Sequence, residues 1–195
     1  MVPPLQLTFT GPYSWLPSDL PSVLDAECAS RAGIYLWTVK TDSSGELIYY
    51  VGETGRDFRS RFVQHFKEQL AGWYRLYDPT LMRAGTKRLL WRGMYGRDKE
   101  ETPTPFIAQL PTLAPALQSY VRLIRFHLAP VEVEARLRKR IEAALAAHLR
   151  AQPGPAGTFQ DTDIRYQPRR PNELPVHVVV RTSVALEGLP EALAA

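Results

Sequence analysis

Gly33-Ile34-Tyr35-Leu36-Trp37-Thr38-Val39 and Leu47-Ile48-Tyr49-Tyr50-Val51 are the stretches whose reading decides the fold. Both are dense in β-branched and aromatic side chains, which suit a pleated surface better than a helical one. Thr41-Asp42-Ser43-Ser44-Gly45 between them is turn chemistry, so the pair reads as a β-hairpin. Further on, Phe58, Phe62, Phe66 and Leu70 recur at four-residue steps with Val63 filling the stripe, which predicts a helix from about Asp57 to Leu70. Its polar side carries Arg61, His65 and Glu68, spaced so that neighbours lie about one turn apart.

Working outward, Leu5-Gln6-Leu7-Thr8-Phe9 alternates like a short strand before the Gly11-Pro12 break. Residues 18–29 read as a short helix, with Ser18 as its N-cap and Leu20, Val23 and Leu24 on one side. Residues 71–118 mix Trp73, Tyr74, Tyr77, Trp91 and Tyr95 with basic side chains and turn Pro-rich from Thr102 to Pro115. This reads as an insertion with one or two short elements and a loop. A third strand is expected over residues 120–128. A helix is expected over 131–150, where Val133, Leu137, Ile141, Leu145 and Leu149 fall at steps of four. Two prolines and two glycines from Gln152 to Gly157 end it, and Val176 to Arg181 makes a last strand. The order predicts an α+β fold around a small mixed sheet, hairpin plus third strand, flanked by helices. The expected plan is one domain over 1–195: an N-terminal extension (1–30), the hairpin and its helix (31–70), the insertion (71–118), the third strand and second helix (119–150), and a C-terminal loop, strand and tail (151–195).

Length and composition limit the rest. A chain of 195 residues, 45% apolar, can bury a core without staples. The single cysteine, Cys28, excludes an intramolecular disulfide framework and a multi-cysteine zinc site. No apolar run approaches the roughly 20 residues that span a bilayer, and Met1-Val2-Pro3-Pro4 does not open like a signal peptide. A cytoplasmic setting is therefore expected. The net charge of +4 is unevenly spread. Residues 1–55 hold two basic and six acidic side chains, whereas residues 56–97 hold ten basic and three acidic, a net of +7. Such a segment supplies the sequence-independent attraction that nucleic-acid binders need, and a solubilising surface has the same composition.

The two strands also carry Gly33-Ile34-Tyr35 and Tyr50-Val51-Gly52, the first followed by the second in hairpin register. Arg61 then sits on the next helix, His65 one turn later, and Glu142 on the helix after the third strand, in Arg140-Ile141-Glu142-Ala143-Ala144-Leu145. In this ordered set the chain resembles the GIY-YIG nucleases, and His65 is similar to the variant found among restriction endonucleases of that family. The resemblance covers residues 33–66 and 120–150. It implies a DNA endonuclease, on double-stranded DNA and as a homodimer in some settings, that uses Mg²⁺ or Mn²⁺ held by Glu142. Tyr35, Tyr50, Arg61, His65 and Glu142 become the catalytic candidates. A nucleic-acid-binding module that no longer cuts is the alternative on the same scaffold.

Chemistry gives each position a reason. Phosphodiester hydrolysis needs an activated water, cover for charge on the phosphoryl oxygens and a stabilised leaving oxygen. Tyr35 is a candidate base, although a phenolate costs about 4 kcal/mol at neutral pH unless a cation lowers its pKa. Arg61 is that cation, or a phosphate clamp. Tyr50 positions water or assists Tyr35. His65 is the rival base. Glu142 would offer oxygen to one hard cation, and Ala143, Ala144 and Ala146 leave space near it for a backbone or a substrate. Without the resemblance the tyrosines read as packing residues, Arg61 and His65 as a solvated helix face, and Glu142 as a partner of Arg138 or Lys139. Lys87, Arg88, Arg92 and Arg97 with Trp91 and Tyr95 are the candidate DNA contacts, and Arg169 and Arg170 a second set. The chain departs from the family pattern where an asparagine is expected a dozen residues after the glutamate. That stretch is Gln152-Pro153-Gly154-Pro155, and Asn172 is the only asparagine in the sequence.

Overall fold

The computed structural model describes residues 3–16, 18–43, 45–95, 103–161 and 164–195. In chain order its elements are β1 (Leu5–Tyr13), β2 (Gly33–Lys40), β3 (Glu46–Thr54), α1 (Phe58–Leu70), β4 (Leu76–Tyr77), α2 (Pro79–Arg83) and β5 (Leu89–Trp91). These are followed by α3 (Thr104–Leu123), β6 (Ile124–Pro130), α4 (Ala135–Arg150), α5 (Pro155–Thr158), β7 (His177–Thr182), β8 (Leu186–Glu187) and β9 (Ala192–Ala194). The fold is α+β, as expected.

The hairpin and third strand are present, with β2 lying between β3 and β6 and antiparallel to both. They do not form the small sheet expected of them. They are the middle of a seven-stranded sheet ordered β8-β3-β2-β6-β1-β7-β9. The other long edge of β6 would be a row of open backbone groups. Strand β1 pairs antiparallel with it, and β7 adds to β1 in parallel, Leu5 to Phe9 matching Val178 to Thr182.

Alternation along β2 sends Tyr35, Trp37 and Val39 to one face and Ile34 and Leu36 to the other. The first face is covered by α1, through the fully buried Phe58 and Phe62, and by α3, through Phe106, Leu113, Leu117 and Tyr120. The second is covered by α4, through Ile141, Leu145, Ala146 and Leu149. Burying a side chain of this size stabilises by about 1.5–3 kcal/mol, so each helix is held mainly by such anchors.

Three expectations fail for identifiable reasons. Residues 18–29 are turns, not a helix. Ser18 and Ser22 accept hydrogen bonds from the backbone N–H groups of Leu20 (3.0 Å) and Leu24 (3.2 Å), the local bonding that competes with a helix. Pro21 has no N–H, and its carbonyl accepts from Ser14 instead. The Pro-rich stretch is the 20-residue helix α3 over its described part. Pro105 occupies the first turn, where its missing N–H costs nothing, and Pro111 and Pro115 fall on the exposed side of a stripe made by Phe106, Leu113, Leu117 and Val121. Hydrophobic period outweighed proline content. Because α3 runs to Leu123, the third strand starts at Ile124 rather than at residue 120.

Among the described residues no helix is long and apolar enough to cross a membrane.

Candidate active site

The glycines of the two tripeptides are there because neighbours approach too closely for a side chain. A Cβ on Gly33 would meet the Ala129 carbonyl and, at 2.8 Å, the Phe58 ring. A Cβ on Gly52 would overlap the Tyr35 ring, which lies across it. Gly33 thus admits α1 to the sheet, and Gly52 lets Tyr35 reach past β3.

Tyr50 reaches the same side by a different device. The β2–β3 register runs from Trp37 opposite Tyr50 to Thr38 opposite Ile48, leaving Tyr49 as an extra residue. This bulge turns two consecutive tyrosines onto one face, while Ile48 and Val51 stay on the other. The Tyr35 and Tyr50 rings end 6.0 Å apart.

Helix α1 brings the next two groups. Asp57 caps it by accepting the Ser60 N–H at 2.7 Å, and the Phe58 N–H donates to Arg31 at 2.9 Å, so its start and rotation are fixed. Arg61 Nε then donates to the Tyr35 oxygen (3.2 Å), and His65 Nε2 lies 2.8 Å from the same hydroxyl. His65 is 2% exposed, so this side of α1 is interior and not the solvated face its polarity suggests. The other ring nitrogen, Nδ1, lies 2.7 Å from the Tyr74 hydroxyl, which itself donates to Glu68.

Counting protons assigns the tautomer. Tyr74 has one hydroxyl proton and Glu68 receives it, so His65 Nδ1 must be the donor to Tyr74. In a neutral ring Nε2 is then a bare acceptor, and Tyr35 donates to it. The ring is neutral because burial, with Arg61 and Arg56 nearby, holds His65 well below the ordinary imidazole value. The result is a directed chain from Tyr35 through His65 and Tyr74 to Glu68. Gln64 Nε2 (2.9 Å) and the Tyr95 hydroxyl (2.7 Å) also donate to Glu68, whose carboxyl stays ionised below its usual range despite partial burial. Burial raises the Tyr35 phenol, and Arg61 offsets part of that rise. Tyr35 and His65, rivals in the sequence, are partners in series.

Glu142 comes from the other face of the sheet, on α4. It is partly buried, and its carboxyl is pushed up to about 7, first by burial and then by Glu53. Lys139 and Arg61 act in the opposite direction. Its expected partner Arg138 is engaged elsewhere, donating to Glu53 Oε2 (2.7 Å) and to the Val133 carbonyl (3.0 Å). Ala143 and Ala146 are buried, so the small residues around Glu142 bring α4 close to the sheet rather than opening a path for substrate. Tyr35, Tyr50 and Arg61 are all within electrostatic reach of Glu142. The edge of β3 between these groups is covered by the chain that follows α5. The Asp161 N–H donates to Tyr49 O (2.9 Å) and the Tyr166 hydroxyl to Val51 O (3.1 Å).

Beside Tyr50, Arg61 and His65 opens a cavity of about 420 Å³, walled also by Trp37, Tyr49 and Tyr120, by the 71–95 segment and by residues near Asp161. The candidate DNA contacts are scattered relative to it. Arg92 is exposed and lines the cavity. Trp91 is 5% exposed and donates its indole N–H to the Gly72 carbonyl at 2.7 Å, so it is a core residue with no face free to stack. Lys87 points inward, with Nζ on the Gln160 carbonyl at 2.8 Å and over the Tyr77 ring at 5.2 Å. Arg88 is paired with Asp78, the cap of α2. Arg97 lies outside the described residues. Arg169 donates to the Glu173 carbonyl (2.8 Å), and Asn172 is exposed in a turn.

Sequence reasoning missed Tyr74, Glu53 and Tyr166. Glu53 directly follows Tyr50-Val51-Gly52, which was a usable signal. The other two arrive from loops whose paths no local pattern specifies. No protein-family model, curated protein or solved structure matches the chain.

Proposed function

We propose that the chain is a metal-dependent endonuclease of the GIY-YIG kind, hydrolysing phosphodiester bonds of DNA. The observation that carries the reading is convergence. Tyr35, Tyr50 and Arg61 on one face of the sheet, with His65 bonded to Tyr35, come within electrostatic reach of Glu142 on the other, although Glu142 lies 77 residues beyond His65 in the chain.

The residues fit a hard divalent cation. Glu142 and Glu53 are oxygen donors, and the Glu142 carboxyl, raised by burial and then by Glu53, would be stabilised in its charged form by a cation beside it. Among the described residues no group of three metal-binding side chains forms, so the protein would offer Glu142, with Glu53 beside it, and water and phosphate oxygens the rest. Mg²⁺ or Mn²⁺ bound there would neutralise developing charge on the phosphate and lower the pKa of a bound water. Tyr35 would take a proton from the attacking water as its own passes to His65 Nε2, with His65 Nδ1 already held by Tyr74 and Glu68. Arg61 Nε would hold the Tyr35 oxygen in place during the transfer, and its remaining donors suit a phosphoryl oxygen. Tyr50, at the cavity wall, would orient the water.

The second reading is a nucleic-acid-binding module that does not cut. It is favoured by one observation, that the Tyr35 side chain has no exposed surface. Incubating the protein with supercoiled plasmid and Mg²⁺ or Mn²⁺ separates the two. Nicking or linearisation that disappears in Glu142→Gln supports the nuclease, and salt-sensitive retention of uncut plasmid at every metal concentration supports the binding module.

A further inference from the structure

The cavity beside Arg61 carries more chemistry than a phosphodiester cleavage site requires. It is walled largely by rings, with Tyr49 and Tyr120 deep inside and Trp73 and Tyr95 partly exposed. Trp73 and Tyr95 are 40% and 56% exposed, with centroids 5.5 Å apart. Large aromatic surface left open in this way forms a stacking platform.

The interior also has unused hydrogen-bonding capacity. Trp37 lines the cavity, and its buried indole N–H has no hydrogen-bond partner among the described residues. The Tyr49 and Tyr120 hydroxyls lie buried beside it, 2.6 Å apart and hydrogen-bonded to each other. A buried donor such as the Trp37 N–H is costly unless a partner arrives. Three cations, Arg61, Arg75 and Arg92, also border the space with one acid, Asp161, which pairs with Arg75 at 2.8 Å. A ligand that satisfies all of this is flat, stacks on aromatic faces, accepts hydrogen bonds on its edge and is tethered to an anion. Its volume must fit about 420 Å³.

We propose that this cavity receives an unpaired nucleobase of the bound nucleic-acid strand, with the adjoining phosphate on Arg61. The ligand class rests on the nucleic-acid reading above; the cavity's shape and donors do not. A paired base cannot enter, so a site of this kind selects strands with a base out of the stack.

The test uses the full chain in EDTA, so that nothing is cut, and a short duplex with 2-aminopurine opposite an abasic site. The same duplex with 2-aminopurine paired to thymine is the reference. The unpaired probe should bind at least about tenfold tighter, with a change in 2-aminopurine emission. Trp73→Ala should remove most of that preference while leaving affinity for the paired duplex unchanged, and Tyr95→Ala should act in the same direction. Equal affinity for the two duplexes, or a preference that survives both substitutions, overturns the proposal. So does deoxyadenosine monophosphate competing as strongly as the unpaired duplex, since the cavity would then take a free nucleotide. A plasmid assay run beside it keeps the two readings apart. Cleavage without base preference removes the base site alone, and base preference without cleavage removes the nuclease alone.

Discussion

On the Tyr35 side of the site, hydroxyls, imidazole and carboxylate form one directed chain of hydrogen bonds. On the Glu142 side, two carboxylates lie close enough to repel, and the guanidinium that neutralises one of them, Arg138, is on Glu53. The first arrangement is internally satisfied and stabilises the fold. The second carries a net penalty whenever Glu142 is ionised, because burial and the neighbouring Glu53 outweigh the groups that favour its charge. Such a division is expected where a fixed proton path must meet an exchangeable cation, because a site complete without the cation would gain nothing by binding it.

The strongest way to break this contrast is to remove the two ends. Glu142→Gln should lower Mg²⁺-dependent plasmid cleavage by at least about a thousandfold, given the several kcal/mol that a bound cation contributes to such a transition state. Cleavage near the parent rate in a folded Glu142→Gln protein would remove Glu142 from the site. Tyr35→Phe should slow cleavage at least about a hundredfold, within the range for loss of a general base, and His65→Ala somewhat less. If His65→Ala is dead while Tyr35→Phe cuts normally, His65 is the base and Tyr35 is not on the proton path.

The pH dependence sharpens the contrast. A cation competes with the proton on Glu142, so below its value of about 7 the apparent Mg²⁺ affinity should fall about tenfold per pH unit. Thermal-shift titrations with Mg²⁺ at pH 6, 7 and 8 would read this without any cleavage. An affinity independent of pH over that range would mean that Glu142 is not the ligand.

Stability should change with opposite signs. The folded pKa of Glu142 lies above the unfolded value of about 4.3, so the fold carries no penalty from it below that value. The penalty grows as pH rises towards about 7 and is constant beyond. Glu142→Gln should therefore stabilise the metal-free protein by about 1–2 kcal/mol at pH 8, after allowance for solvent screening, and by nothing at pH 4. Tyr35→Phe should instead cost about 1–2 kcal/mol at both, because His65 Nε2 loses its donor. Urea melts at the two pH values distinguish them.

The smallest effect concerns the basic segment. With Lys87 turned inward and Arg88 on Asp78, replacing Lys87, Arg88 and Arg92 together should flatten the slope of log affinity against log salt by only about one unit, the share of Arg92. A change of three units would place all three side chains on phosphates.

The sequence by itself determined the hairpin, α1, α4, and the types and order of the candidate residues. Its local periods, two and about 3.6, are physical consequences of strand and helix geometry. Residues such as Phe58, Phe62, Ile141 and Leu145 report them directly. Tertiary structure decided what those periods do not encode. Edge pairing made a seven-stranded sheet from a three-stranded expectation, and a stripe from Phe106 to Val121 made a helix of a Pro-rich run. An extra residue at Tyr49 aimed Tyr50 beside Tyr35. Burial turned His65 from a surface residue into a neutral acceptor and lifted Glu142 to about 7. These depend on which surfaces meet and how much water is left between them, and a protonation state follows from that environment rather than from residue type.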